Sequence, residues 1–286
     1  MVFNNISKLS GVAVVSISIQ LFSHAAFAVA SNENASVSTT CDTSSAFTAN
    51  ADCTTTPSVY KVTIYEMGLC SSHPYGTAKT ENNFDASTCV TTYTDTAPST
   101  VDIATTLSGG SVSLPGASAI PAEGVYAYPY IVLGSSFNTA GIYTNSADTY
   151  YSTSTCTVST VAGNYGECTD SLTNFTFSGS ATECDSGYIG AAVSGGTIDG
   201  FVADSNLVRS VETGGASGGV CNNSGRVVGV MNLSAPVTVT SDTYSVVFNF
   251  VLTNYGIQFI ETGGDAVADE FGSGPFSGYF VVSDAD

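Results

Sequence analysis

Val59-Tyr60-Lys61-Val62-Thr63-Ile64-Tyr65 alternates along its length. Tyr60, Val62 and Ile64 fall on one face and Val59, Thr63 and Tyr65 on the other, the period of two of a β-strand whose faces meet different surroundings. β-branched and aromatic residues dominate it, as in a strand rather than a helix. Neighbouring segments repeat the pattern between Gly, Pro, Asn and Asp breaks: residues 89–93, 111–114 and 126–133, then 237–239, 244–252, 256–260 and 279–282. Pro129 inside the fourth of these segments predicts an edge strand or a bulge. No helical period of apolar residues follows the first 28 positions. The expected fold class is all-β, an antiparallel β-sandwich with a disulfide-stapled, loop-rich insertion.

The N-terminus has a different character. Lys8 is the only charged residue among the first ten, residues 9–22 form an apolar run broken by serines, and Ala26-Phe27-Ala28 offers a small-x-small cleavage site. The run is too short and too serine-rich for a membrane span. Residues 1–28 are therefore expected to be a signal peptide. Residues 29–56 follow as a Ser/Thr-rich leader, and residues 57–260 as the sandwich, with its insertion at about 140–225. Residues 261–286 form an acidic, Gly-rich C-terminal segment with a last strand. A single sandwich with an insertion and a pair of domains fit this pattern equally.

All eight cysteines, Cys41, Cys53, Cys70, Cys89, Cys156, Cys168, Cys184 and Cys221, lie beyond that signal. An even set in an exported chain predicts disulfides. Eight cysteines allow 105 pairings. Cys70 and Cys89 flank a turn-rich loop between two strands, which favours their union. Cys41–Cys53 and Cys156–Cys168 share one spacing, and Cys184–Cys221 is then left. There is no CxxC pair and His73 is the one histidine beyond the signal, so a zinc cluster is not expected. The protein is expected in an oxidising location: secreted, extracellular, at the cell surface or in the periplasm.

The charge balance narrows the partners. Four basic residues, Lys61, Lys79, Arg209 and Arg226, remain beyond the signal against 24 acids, and the whole chain carries a net −19. Such a surface repels nucleic acid and anionic membranes. Self-assembly, or binding to surface glycans or proteins, suits it better, with no membrane span once the signal is removed. Only 10% of the residues are charged, so Thr, Ser, Asn and Gly supply most of the polar surface. The 15 Tyr and 15 Phe supply a core and exclude a disordered acidic chain.

Few segments suggest chemistry. Gly214-Gly215-Ala216-Ser217-Gly218-Gly219-Val220 is similar to the nucleophile loop of trypsin-like proteases, but Ala216 stands where that family has Asp. His73, the one available base, sits in Ser72-His73-Pro74 without the family's surroundings. A carboxylate pair for glycoside hydrolysis could be drawn anywhere in so acidic a chain. Tyr143, Tyr150, Tyr151 and Tyr165 offer rings for stacking on sugars. No cofactor is expected, with calcium the one exception: Glu261, Asp265, Asp269 and Glu270 cluster near glycines, and Asp199 and Asp204 lie close in sequence. None of these matches an EF-hand loop.

One family resemblance emerges from strand order. Residues 60–64 lead into a hairpin, followed by Val101-Asp102-Ile103-Ala104, Leu114-Pro115, Ile120-Pro121-Ala122-Glu123-Gly124-Val125-Tyr126 and Ile131-Val132-Leu133. Val237-Thr238-Val239 and residues 246–252 close the series. Over residues 57–135 and 227–260 this resembles the transthyretin-like (prealbumin-like) β-sandwich of exported bacterial proteins and lipoproteins. Glu123 before Gly124 and the long insertion depart from that pattern. The resemblance implies a non-catalytic secreted or surface sandwich and brings no active-site residues. The resulting expectation is a non-enzymatic adhesin, matrix component or appendage subunit, with a secreted serine or carboxylate-pair hydrolase as the alternative. In one form of it, residues 276–282 add as a strand to a neighbouring subunit.

Overall fold

A computed structural model describes residues 16–18, 39–49, 51–107, 111–171, 188–193, 196–209, 224–274 and 277–284. The fold is all-β, and its only described helical turns are three short 3-10 segments. The main sheet runs, in spatial order, through Cys168–Ser171, Ser136–Ala140, Val59–Cys70, Tyr128–Gly134, Arg226–Leu233, Gly196–Ala203 and Tyr188–Val193. Each neighbouring pair is antiparallel.

The alternating stretch at the start of Val59–Cys70 organises this sheet. The strand has 12 residues, long enough to change partners along its length. Its first part pairs with Ser136–Ala140 and Thr100–Asp102, and from Ile64 onward it pairs with Tyr128–Gly134 and Cys89–Thr94. Register shifts at Val132/Leu133 and Met67/Gly68 accommodate the change. Gly68 is required there, because a Cβ would lie 2.5 Å from both the Tyr130 ring and the Val90 carbonyl oxygen. Tyr60, Val62 and Ile64 are buried, as their alternation predicts.

The main sheet is covered on both faces. On one, Tyr60, Val62, Ile64, Ile131, Leu133 and Met231 pack with Phe248, Phe250, Leu252 and Phe259 from other layers. On the other, Tyr130, Val132, Phe201, Val228 and Val230 pack under Tyr75, with Phe84 and Leu207 alongside. Residues 129–133 and 227–231 are accordingly buried without interruption. A strand enclosed on two sides loses the alternation of a half-exposed one. Pro129 is therefore not on an edge strand. It sits near the strand's start and pairs with Leu69, while pairing to Arg226–Leu233 begins one residue later at Tyr130.

An outer layer covers the first face. Its ladders join Gly124–Tyr126 to Val237–Val239, Thr243–Val251 to Ser277–Asp284, and Ser16–Ser18 to Ser111–Ser113, all antiparallel. Val237–Val239 runs beside Ser277–Asp284, and Ser16–Ser18 beside Thr243–Val251, with Cα atoms within 8 Å. The C-terminal strand thus pairs within its own chain's outer layer. Residues 275–276 lie outside the described residues.

A small sheet orders Thr39–Thr40, Asp52–Thr55, Ile257–Ile260 and Glu270–Ser273. The expected leader is therefore part of the fold from Thr39 onward, with Cys41, Phe47 and Cys53 in the core. Much of the expected insertion also belongs to the main sheet, through Cys168–Ser171, Tyr188–Val193 and Gly196–Ala203. Disulfides join Cys41 to Cys53, Cys70 to Cys89, and Cys156 to Cys168. Cys184 and Cys221, expected as a fourth bridge, lie outside the described residues, as does Ser217. Among the described residues, no helix is long and apolar enough to cross a membrane.

Candidate functional site

On the second face of the main sheet, two of the five side chains beyond residue 28 that can carry positive charge, His73 and Lys79, face one carboxylate, and a third, Arg209, is bonded to the Lys79 backbone. Cys70 and Cys89 stand opposite each other in the ladder, and their disulfide closes the base of the intervening loop. The loop turns at His73 and again at Gly76, whose carbonyl accepts from the Lys79 amide at 2.9 Å. Gly76 and Lys79 adopt φ of 74° and 58°, the left-handed backbone such turns need. The loop is then tied across the sheet. The Arg209 amide donates to the Asn82 carbonyl at 2.8 Å, and Tyr75 Oη donates to the Leu207 carbonyl at 3.0 Å.

Asp199 lies on Gly196–Ala203, two residues before Phe201 and so on the same face. Its side chain is 1% exposed. Lys79 Nζ donates to Asp199 Oδ1 at 2.8 Å, and His73 Nε2 is 3.3 Å from Asp199 Oδ2 without hydrogen-bond alignment. His73 Nδ1 accepts from the Tyr75 amide at 3.1 Å, which places the ring proton on Nε2, facing the carboxylate. Arg209 is also buried. Its guanidinium lies 4.9 Å from the Phe201 ring centroid and donates to the Lys79 carbonyl at 2.5 Å. Tyr128 and Phe201 meet the His73 ring edge-on, with centroids at 5.6 and 5.9 Å.

This arrangement holds segments together. Both His73 nitrogens face groups of the chain itself, so the ring presents neither to an external nucleophile. General-base chemistry needs such a nitrogen within hydrogen-bond reach of the reacting proton. Asp199 and Asp204 do not share a site. Asp199 faces Lys79 and His73, whereas Asp204 Oδ1 accepts from the amides of Asn206 and Val208 at 2.8 and 2.9 Å and closes its own turn.

The calcium candidates form a second acidic turn. A methyl group built on Gly263 would lie 3.4 Å from Asp269 Oδ2, 3.5 Å from Glu261 Oε1 and 3.7 Å from Asp265 Oδ1. Each of these carboxylates is already bonded within the turn. Glu261 Oε1 accepts from the Asp265 amide, Asp265 Oδ1 from the Val267 amide, and Asp269 from the amide and hydroxyl of Thr262. Glu270 lies beyond them on the strand Glu270–Ser273. Among the described residues, no group of three or more His, Cys, Asp or Glu side chains is arranged to hold a metal ion.

The tyrosines considered as sugar platforms divide. Tyr143 and Tyr150 are core residues, stacked at 5.8 Å and packed against Phe47, so they offer no surface. Tyr165 is 40% exposed, and its hydroxyl is bonded to Ser58 Oγ at 2.6 Å. Sequence reasoning singled out His73 and Asp199 separately and did not join them. Lys79 carried a signal, since a cation on a turn-rich segment of a chain with so few of them invites a search for a buried anion. No protein-family model, no curated protein and no solved structure matches this chain.

Proposed function

We propose that this chain is an exported, non-catalytic β-sandwich protein that acts at the cell surface or outside the cell by binding or self-assembly. The three disulfides favour an oxidising location. The observation that carries the reading is the outer layer. Val125, Tyr244 and Val281 are 59, 57 and 42% exposed there, on Gly124–Tyr126, Thr243–Val251 and Ser277–Asp284. Val281 also stands opposite half-buried Val247 in the ladder. Isolated exposed apolar residues are ordinary, but three on strands of one layer favour a surface that is covered in use. The His73–Lys79–Asp199–Arg209 cluster then has a structural role, fixing the loop that covers the opposite face.

The test is to export the full chain, locate it by surface labelling, and follow association by analytical ultracentrifugation across a concentration series. Val125→Lys and Val281→Lys should each weaken association or surface retention while leaving the melting temperature within a few degrees. A cytoplasmic location, or an exported protein that is monomeric and unattached at every concentration, would refute the reading.

A further inference from the structure

The loop-covered face of the main sheet brings an amine and a carboxylate within reacting distance, away from bulk water. Lys79 Nζ lies 2.8 Å from Asp199 Oδ1, and the Asp199 side chain is 1% exposed. A carboxylate C–O bond spans roughly 1.2 Å, so Asp199 Cγ is at most about 4 Å from the amine. Both residues are held in place. The Lys79 carbonyl accepts from the buried Arg209 guanidinium. Asp199 stands within the ladders, opposite Gly190 on one side and Val230 on the other. At the second carboxylate oxygen, His73 Nε2 is 3.3 Å from Oδ2 and carries the ring proton, because Nδ1 accepts from the Tyr75 amide. The rings of Tyr128 and Phe201 close around His73.

We propose that Lys79 and Asp199 condense to a side-chain amide, a covalent cross-link between the covering loop and the main sheet. Only folding brings the two groups together, so newly folded chain carries the ion pair described above and acquires the amide with time. One proton first passes from the ammonium to Oδ1. That leaves a neutral amine and a neutral acid, which burial favours over two charges. The Nζ lone pair then forms the bond to Cγ, and the carbonyl electrons move onto Oδ2, where the Nε2 proton of His73 faces the developing charge. A second proton passes from Nζ to Oδ1, the Cγ–Oδ1 bond breaks, and Oδ1 leaves as water while Oδ2 becomes the amide carbonyl. One water is released, and neither oxidant nor cofactor is consumed. Fixed placement of the pair removes the entropy loss that two separate molecules would meet. The Lys79 side chain is 29% exposed, which gives the released water a way out, while the enclosed carbonyl is shielded from hydrolysis. Lys61 and Glu167 present the same functional groups at 2.6 Å on the surface. Water stabilises their charges there, so that pair stays ionic and serves as an internal control. The step is independent of the export reading.

The experiment samples the purified full chain over days at neutral pH, reads its intact mass after reduction and denaturation, and maps the end product by proteolysis. The expected mass is one water below that of the same sequence uncondensed. Trypsin should no longer cut after Lys79, and one fragment should join the peptides that contain Lys79 and Asp199. Lys79→Arg, shown to be folded by circular dichroism, should keep its full mass, whereas Lys61→Arg should lose the water as the wild type does. His73→Ala should slow the loss roughly tenfold or more, since it removes the proton that faces Oδ2. A folded wild type that keeps its full mass overturns the proposal, as does a joined fragment that maps to Lys61 and Glu167. A water loss that persists in Lys79→Arg also overturns it, because Asp199 has then closed on the amide of Gly200 as a cyclic imide. Condensation of His73→Ala at the wild-type rate overturns the route through Oδ2.

Discussion

The two faces of the main sheet are closed by different means. The first is covered by other strands, whose Phe248, Phe250 and Phe259 pack on Val62, Ile64 and Leu133 of the sheet. The second is covered mainly by a loop, which contributes Tyr75 and Phe84 and is held by a disulfide, main-chain bonds and the charges around Asp199. Sheet-on-sheet packing fixes itself through many small contacts spread over a wide area. A loop has less area to bury and needs point fastenings. Scarce cations are therefore concentrated where buried area falls short, and beyond residue 28 only Lys61 and Arg226 remain for the rest of the surface.

That contrast can be broken at its strongest points. Phe250→Ala on the strand-covered face should cost about 3–5 kcal/mol, by lost transfer and a residual cavity. Asp199→Ala on the loop-covered face should cost less, because it removes the buried acceptor of Lys79, whose own side chain still reaches water. The two losses should differ in kind. Hydrogen exchange of the Phe250 variant should rise throughout the sandwich, and that of the Asp199 variant chiefly over residues 71–88 and 204–209. Equal patterns in the two variants would show that the faces form one fastening after all. Next in size, replacing Cys70 and Cys89 together by Ser should lower stability by about 2–4 kcal/mol in denaturant titrations, mostly by freeing the unfolded chain.

Alkaline pH tests both faces at once. Burial pushes the Tyr60, Tyr75 and Tyr130 hydroxyls above their ordinary value; Asp170 adds to the rise at Tyr60 and Glu66 at Tyr130, while Arg209 opposes it at Tyr75. Ionisation is thus favoured in the unfolded chain. Stability is fully present below about pH 10 and is lost as pH rises through the higher folded values. In a combined titration, the last rise in tyrosinate absorbance should coincide with loss of the circular-dichroism strand signal. Complete ionisation with that signal intact would contradict the enclosure of Tyr60 on one face and Tyr75 and Tyr130 on the other.

How much of this could be read beforehand follows range of interaction. The strand at Val59, the pair Val237–Val239 and the three local disulfides depend on neighbours in sequence, and alternation, turn residues and spacing carried them. The Asp199 cluster depends on partners more than 100 positions away. A lone His73 and a lone Asp199 look the same in sequence whether they serve catalysis, a metal or a latch. Tyr143 and Tyr150 failed as surface candidates for the same reason, since their enclosure comes from Phe47 and Phe259, on segments nearly 100 positions or more from them. The double coverage of Tyr128–Gly134 was partly visible, because an apolar run without alternation is the mark of a strand buried on both sides.

The smallest effect isolates the role of burial, because the molecule holds two lysine–carboxylate contacts of similar length. Lys61 Nζ lies 2.6 Å from Glu167 Oε2, with side chains 34 and 42% exposed. Lys79 Nζ lies 2.8 Å from Asp199 Oδ1, where the carboxylate is 1% exposed. Glu167 raises the Lys61 pKa, yet water and salt screen an exposed pair, and holding two long side chains in one geometry offsets part of the attraction. Lys61→Met should therefore change stability by less than about 1 kcal/mol, and raising the salt concentration should shrink even that. Lys79→Met leaves the Asp199 carboxylate buried without its lysine and should cost several times more, with little response to salt, because ions do not reach the carboxylate. Equal losses for the two variants, or a salt response at Lys79 as large as at Lys61, would mean that the loop-covered face is open to solvent and that its charges fasten nothing.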